Sequence, residues 1–186
     1  MSRIIAGKFR GRRLDVPAGN AVRPTTDRMR ERVFSMLMHG RYPDMKEARV
    51  ADLFAGTGAL GLEALSRGAS HITFVEKSPG SVACIKANIA ALDAANETLV
   101  MQKSTDALPA ATKPYEFIFM DPPYHKGLVE PTLESLISAN WLAKDGVIIC
   151  ELASDDALSL PTSLFIIDER SQGQQRVLFL SLNSKK

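Results

Sequence analysis

The chain has 186 residues, of which 45% are apolar and 24% charged, with two cysteines and a formal net charge of +2. That is enough for one domain of ordinary size with its own core, and it excludes a disordered chain, a collagen-like fibre and a disulfide-stapled miniprotein. The charge is unevenly divided: residues 1–49 hold 12 Lys/Arg against 5 Asp/Glu, and residues 50–186 hold 11 against 16. A basic end on an acidic body suggests an arm for a polyanion such as nucleic acid, a solvated basic surface being the plainer alternative.

In chain order, the text RIIAGKFRGRRLDVP reads as a hairpin, with strands at Ile4 to Ala6 and Arg12 to Val16 around a turn at Lys8 to Gly11. Lys8, Arg10, Arg12 and Arg13 crowd the turn and second strand, and Phe9 offers a flat face for stacking on a base. Such a hairpin should project from, or lean on, the main body. After the extended Arg23-Pro24-Thr25, Thr26 is the N-cap expected for a helix from Asp27 to Met38. Met29, Val33, Met36 and Leu37 give that helix an apolar face, which leaves Arg28, Arg30, Glu31 and Arg32 on the wet side. Residues 1–25 thus read as a basic arm and 26–186 as the main domain.

From Arg49 onward strands alternate with helices. Strands are expected at Val50 to Phe54, His71 to Val75, Leu99 to Gln102, Phe117 to Met120, Val147 to Glu151, Ser163 to Ile167 and Arg176 to Ser181. Helices are expected at Ala59 to Ser66, Pro79 to Ala94 and Val129 to Ala139, with a weaker turn near Asp155 to Ser159. This order specifies a doubly wound α/β domain with a largely parallel sheet, and the short Asp168 to Gln175 connection closes it with an antiparallel hairpin. Cys84 and Cys150 lie in apolar segments without the spacing of a zinc or redox site, so they read as reduced core residues. No apolar run nears the roughly 20 residues that cross a bilayer and no signal-peptide stretch opens the chain, which points to the cytoplasm.

The segment ADLFAGTGALG, from Ala51 to Gly61, carries GxGxxG directly after a strand and at the start of a helix. Its glycines allow a tight turn and close approach to a ligand, and the helix N-terminus aims N–H groups at it. Glu76 ends the next strand, where a carboxylate can accept both hydroxyls of a ribose. This much fits either NAD or S-adenosylmethionine. Asp52, four residues before Gly56, favours the second, because an acid there faces the cationic methionine end of that cofactor. A glycine-rich turn with no ligand is the bland alternative.

The strand Phe117 to Met120 runs into Asp121-Pro122-Pro123-Tyr124. In an open α/β sheet ligands gather at the carboxyl ends of strands, so this corner and the glycine loop should share one crevice. An exocyclic base amine is a poor nucleophile because its lone pair is delocalised. If Asp121 accepts one N–H and the Pro122 carbonyl the other, the nitrogen can pyramidalise toward a methyl carbon. The prolines lack an N–H and fix the turn. Tyr124 can stack on the base. The implied chemistry is direct in-line methyl transfer, driven by positioning and desolvation, with no covalent enzyme intermediate. A proline-stiffened surface turn is the alternative.

These residues are similar to those of the RsmD-type methyltransferases, bacterial enzymes of the guanine N2 amine in 16S ribosomal RNA. The likeness covers RIIAGKFRGRRL, Arg23-Pro24-Thr25 leading into TDRMRERVFSML, LFAGTGALGLEALSRGA and DPPYHKGL, and in the last third it is mainly one of strand pattern. It implies a class I methyltransferase fold with a seven-stranded sheet and an amino-terminal hairpin that helps hold RNA or a small-subunit assembly particle. It also implies S-adenosylmethionine as donor, with Gly56 and Gly58 at its methionine portion, Asp52 behind them, Glu76 on the ribose and Asp106 near the adenine amine. Asp121, Pro122 and Tyr124 would engage the guanine. For Asp106 an ordinary helix cap is the competing role. The tetrapeptide names the amine and not the base, so adenine-N6 methylation of RNA or DNA stays open. Against it stands the little space for a DNA-recognition domain. A silent RNA-binding shell would be expected to carry a damaged motif, and an NAD-dependent oxidoreductase leaves Asp121 to Tyr124 without a role. His125 and Lys126 could contact phosphate or only cap a loop, and the loop role is favoured; His39 and His71 read as structural, no metal is expected, and the chain is expected to act as a monomer.

Overall fold

The computed structural model describes residues 2–16 and 27–183. Strands β1 (Ser2–Arg3) and β2 (Arg13–Leu14) pair antiparallel at the amino end. They are shorter than the sequence suggests, because the Ile5 and Ala6 N–H groups donate to the Glu63 carboxylate instead of extending the ladder. Arg23 to Thr26, with the expected N-cap and the boundary between arm and domain, lie outside the described residues.

Helix α1 (Asp27–His39) buries Met29, Val33, Phe34 and Leu37. Arg30 is a correction to the expected wet face, since it is fully buried. Arg30, Val33, Phe34 and Leu37 follow the i, i+3, i+4, i+7 stripe of one helix face. The Arg30 guanidinium donates to Ser2 Oγ at 3.0 Å and to the Arg3 carbonyl at 2.7 Å, so burial is compensated by hydrogen bonds to β1. Glu31 and Arg32 are exposed as expected.

The main sheet contains β3 (Arg49–Leu53), β4 (His71–Val75), β5 (Thr98–Met101), β6 (Tyr115–Met120), β7 (Leu142–Ala153), β8 (Leu164–Gln172) and β9 (Gln175–Leu182). Their order is β5-β4-β3-β6-β7-β9-β8, with β9 antiparallel to both of its neighbours and the other pairings parallel. Helices α2 (Ala59–Ser66) and α3 (Pro79–Ala91) make the crossovers on one side of β3, and α4 (Val129–Ser138) leads from β6 to β7. α3 stops short of Ala94 because Asp93 takes a left-handed conformation, φ 53°, and a short 3₁₀ turn follows at Ala95–Glu97. The last hairpin is tighter than expected. β8 runs on to Gln172, and Gly173, at φ 59°, turns the chain within two residues.

Alternation along the strands sorts the core into two layers. On β6, Phe117 and Phe119 join Phe34, Phe74, Leu62 and Ile85 under α1, α2 and α3. Ile118 and Met120 point the other way, to Leu133, Leu136 and Trp141 under α4. Both cysteines are unpaired and buried, in line with the sequence reading. The chain winds outward in opposite directions from β3 and from β6. Their carboxyl ends therefore flank the topological switch point, where open α/β sheets bind ligands.

Candidate active site

At the end of β3 the backbone leaves the sheet through Phe54, itself left-handed at φ 56°, and turns through Gly56 at φ 56° and Gly58 at φ 77° into α2. The three glycines do different work. Gly56 lines the cleft. A Cβ on Gly58 would lie 3.2 Å from the Phe74 ring, and one on Gly61 2.4 Å from it, so those two let α2 pack closely on β4. Gly58 is not among the cleft-lining residues.

Glu76 ties the second strand to the loop. One carboxylate oxygen accepts from Gly56 N at 2.9 Å and the other from Ser78 N at 2.7 Å. Asp52 sits behind the loop, 2% exposed, with Oδ2 accepting from Gly61 N at 2.8 Å. Burial pushes its carboxyl up to about 8; the charges of Asp121 and Glu76 push the same way, and the Gly61 N–H opposes them.

Across the switch point, Asp121 and Pro122 follow β6, and together with Gly56, Glu76 and Tyr124 they line a single cleft of about 500 Å³. The sequence reading thus brings five of its site residues to one cavity. Lys103, Ser104 and Thr105, after β5, form a further wall, whereas Asp106 is exposed in the turn beyond and does not line the cleft. His125 is held by Asp156 at 2.9 Å in an exposed loop, in keeping with the loop role read for it.

Phe54, Glu151 and Gln175 were not singled out by the sequence, yet all three line the cleft. Tyr124 donates its hydroxyl to Glu151 Oε1 at 2.6 Å, and Gln175 Nε2 donates to the same oxygen at 3.0 Å. Burial, followed by the Glu151 carboxylate, pushes the Tyr124 phenol well above its ordinary value, so it stays protonated. The available signal was Glu151 closing the strand beside the Asp-Pro-Pro-Tyr strand. Gln175 carried none, because only the β7–β9 pairing brings it there.

The amino-terminal segment lies along α2. Ser66 accepts from Phe9 N through Oγ and from Lys8 N through its carbonyl. Asn88 donates to both the Asp15 and Thr57 carbonyls, at 3.1 and 3.0 Å, so the exit of β2 is tied to the glycine loop. Arg10, Arg12 and Arg13 are exposed; Lys8 pairs with Glu97 and covers the ring of Phe9, which rests half-buried on the core.

A glycine turn and a proline-braced acidic corner facing each other across the switch point of this sheet define a class I methyltransferase. No described helix is long and apolar enough to cross a membrane. The chain belongs to the family described as Conserved hypothetical protein 95, which matches residues 2–181, and the resemblance to the RsmD-type enzymes is thereby borne out. It is 38% identical over 173 residues to "Ribosomal RNA small subunit methyltransferase D" of Escherichia coli (strain K12), covering 92% of this chain and 85% of that protein. It is 36% identical to the protein of the same name from Haemophilus influenzae, covering 92% and 89%. The solved structure of the Escherichia coli protein yhhF superposes with a TM-score of 0.84 at 35% identity, over 99% of both chains.

Proposed function

We propose that this enzyme transfers a methyl group from S-adenosylmethionine to the exocyclic N2 amine of a guanine in 16S ribosomal RNA, free or in a small-subunit assembly particle, and acts as a monomer in the cytoplasm. The observation that carries the reading is the shared cleft, with Gly56 and Glu76 on one wall and Asp121, Pro122 and Tyr124 on the other. The named relatives act on ribosomal RNA according to their names, which supports the choice of polymer.

The residues present fit the cofactor. A cavity of about 500 Å³ suits a nucleoside-sized ligand. Each Glu76 oxygen already accepts one backbone N–H, and a carboxylate has about four acceptor positions, enough for two ribose hydroxyls as well. Asp52 lies behind the turn, where a cation would favour its ionised form. Asp106, exposed in the next loop, would approach the adenine amine from outside. The bound cofactor supplies a methyl group on a cationic sulfur.

The chain's own residues supply the rest. Asp121 and the Pro122 carbonyl accept the two amine hydrogens, aim the nitrogen lone pair into the cleft, and give the departing proton a carboxylate to go to. Tyr124, its hydroxyl anchored on Glu151, holds the base plane. The positioning of the two reactants is worth more here than any acid or base. Residues 1–25 serve as the RNA-holding arm, with Arg10, Arg12 and Arg13 on phosphates and Lys8 and Phe9 beside them. Mass spectrometry of ribosomal RNA from cells lacking this protein tests the reading. A missing N2-methylguanine is expected, and an unchanged modification pattern would overturn it.

A further inference from the structure

We propose that the amino-terminal segment has a second task beside holding RNA: through Asn88 it shapes the glycine turn that receives the cofactor, so that docking of the segment and binding of the cofactor strengthen each other. The inference rests on the methyl-transfer reading above and makes Asn88 a positioning residue between the arm and the cofactor half of the cleft.

Asn88 lies on α3, the helix whose Ser81 lines the cleft, and is only 2% exposed. Its side-chain amide is used on both sides. Oδ1 accepts from Asp15 N at 2.7 Å, and Nδ2 donates to the Asp15 carbonyl at 3.1 Å and to the Thr57 carbonyl at 3.0 Å. A reversed amide would set its NH₂ against the Asp15 N–H and its oxygen against two carbonyls, so these partners fix which way it faces. The Cys84 thiol, one turn earlier on α3, closes the clasp by donating to the Asp15 carbonyl at 3.0 Å. Burial raises this thiol above its ordinary range and keeps its proton in place.

The two ends of this contact differ in what else holds them. Asp15 directly follows β2, whose two residues pair with the two of β1. Thr57 sits in the turn itself, between Gly56 and Gly58. Gly58, at φ 77°, has no Cβ to restrict its backbone, so hydrogen bonds set the plane of the Thr57–Gly58 peptide. Gly58 N donates to the Ala55 carbonyl at 2.7 Å, and Asn88 meets the Thr57 carbonyl. On the other flank Glu76 holds the Gly56 N–H. The turn is therefore braced by the ribose acid on one side and by the arm on the other. When Asp15 leaves, the Asn88 amide loses the partners that orient it, because the torsion of a terminal amide is broad, and the buried Thr57 carbonyl loses a directed donor. A cofactor that needs the turn in this shape binds the docked form more tightly, and by linkage the bound cofactor holds the segment down by the same factor.

The probe is S-adenosylhomocysteine. Hydrogen exchange at the Asp15 N–H is followed by NMR without and with saturating probe, under conditions where core amides such as Phe119 N–H exchange far more slowly, so that the rate reads local opening of the segment. Exchange in the wild type is expected to slow by ~10-fold, within the usual range of coupling between two sites; an unchanged rate would overturn the proposal. In Asn88→Ala, calorimetry should show S-adenosylhomocysteine binding weakened by a similar factor. A residue that only stabilised the fold would lower the urea midpoint of that variant and leave the Kd of the folded enzyme as it was, a result that also sinks the proposal. Should Asn88→Ala fail to fold, exchange in the wild type decides alone. If instead the wild type binds no S-adenosylhomocysteine, the methyl-transfer reading itself falls, an outcome distinct from binding that leaves the Asp15 N–H untouched.

Discussion

Asp121 lines the cleft and Asp52 lies buried behind its glycine turn, and the two make opposite demands. Asp121 is asked to accept one of the two amine hydrogens, with the Pro122 carbonyl on the other, so Asp121→Ala should lower kcat by about 10²-fold or more, the range seen when an orienting acceptor is removed, with cofactor affinity by calorimetry nearly unchanged. Wild-type turnover in that variant would remove the mechanism. Asp52 is buried and its carboxyl is raised to about 8. Between about pH 4 and 8 the unfolded chain has released this proton while the folded chain retains it. Stability therefore falls as pH rises through that window, by at most about 1.4 kcal/mol per pH unit from this group, and levels off above it. Asp52→Asn should flatten that decline, as read from urea midpoints at pH 5 and pH 8. At this scale the sequence showed those residues whose meaning is local. Asp52, Glu76 and Asp121 sit at fixed offsets from a glycine turn or a proline pair. Glu151 carried only the signal of closing its strand, because its partners Tyr124 and Gln175 come from a turn and from another strand, and Arg30 misled because a charged side chain on a buried stripe is decided by what lies opposite it.

The amino-terminal hairpin is held to α2 by two buried side chains, Ser66 and Glu63, of which Glu63 alone carries a charge. Glu63 is fully buried, accepts Ile5 N and Ala6 N, and pairs with Arg67 at 2.7 Å, whose guanidinium lies 4.8 Å from the Phe34 ring centre. Two strands of two residues each cannot stand alone, so the segment's position depends on such anchors, and the Glu63 carboxylate is the charged one on α2. Glu63→Ala leaves a buried cation and two backbone donors unpaired, and should cost about 3–5 kcal/mol. Limited proteolysis should then cut within residues 2–16 before the rest of the chain. Gly7 explains why the approach is so close: a Cβ there would fall 1.8 Å from the Ser66 carbonyl oxygen. With the segment docked, its exposed face carries Arg10, Arg12 and Arg13. Replacing all three with Ala should weaken RNA binding and flatten the dependence of log K on log salt by about 0.7–0.9 for each phosphate no longer neutralised. An unaltered slope would show that the arginines do not touch phosphate. The sequence announced this element by its glycines and basic residues, but the docking hydrogen bonds join residues about 60 positions apart and left no periodic trace.

Across the whole molecule, the reversal of winding between β3 and β6 makes the cleft a joint product of both halves of the sheet. Glu76 comes from the β4 side, Asp121 follows β6, and Glu151 and Gln175 come from β7 and β9. The alternating pattern of strands and helices was enough to specify that winding, since each apolar strand has only a few buried places to go. Which strand lies between β7 and β8 was less legible, because the short connection implied a hairpin without stating which of its strands sits inside. A cleft divided in this way ties ligand binding to the integrity of the entire sheet. On the proposed reading S-adenosylhomocysteine, which lacks the transferable methyl, is expected to bind the folded state only, and at a hundred times its Kd should raise the unfolding free energy by about 2.7 kcal/mol. Trp141 is the single tryptophan and is buried under α4, on the face away from α1, α2 and α3. Its fluorescence and the far-ultraviolet circular dichroism should therefore shift together, as one urea transition moved by the same amount. If the tryptophan transition stayed in place while the circular dichroism moved, the β7–β9 half would be unfolding on its own, and the cleft would belong to the glycine-loop half alone.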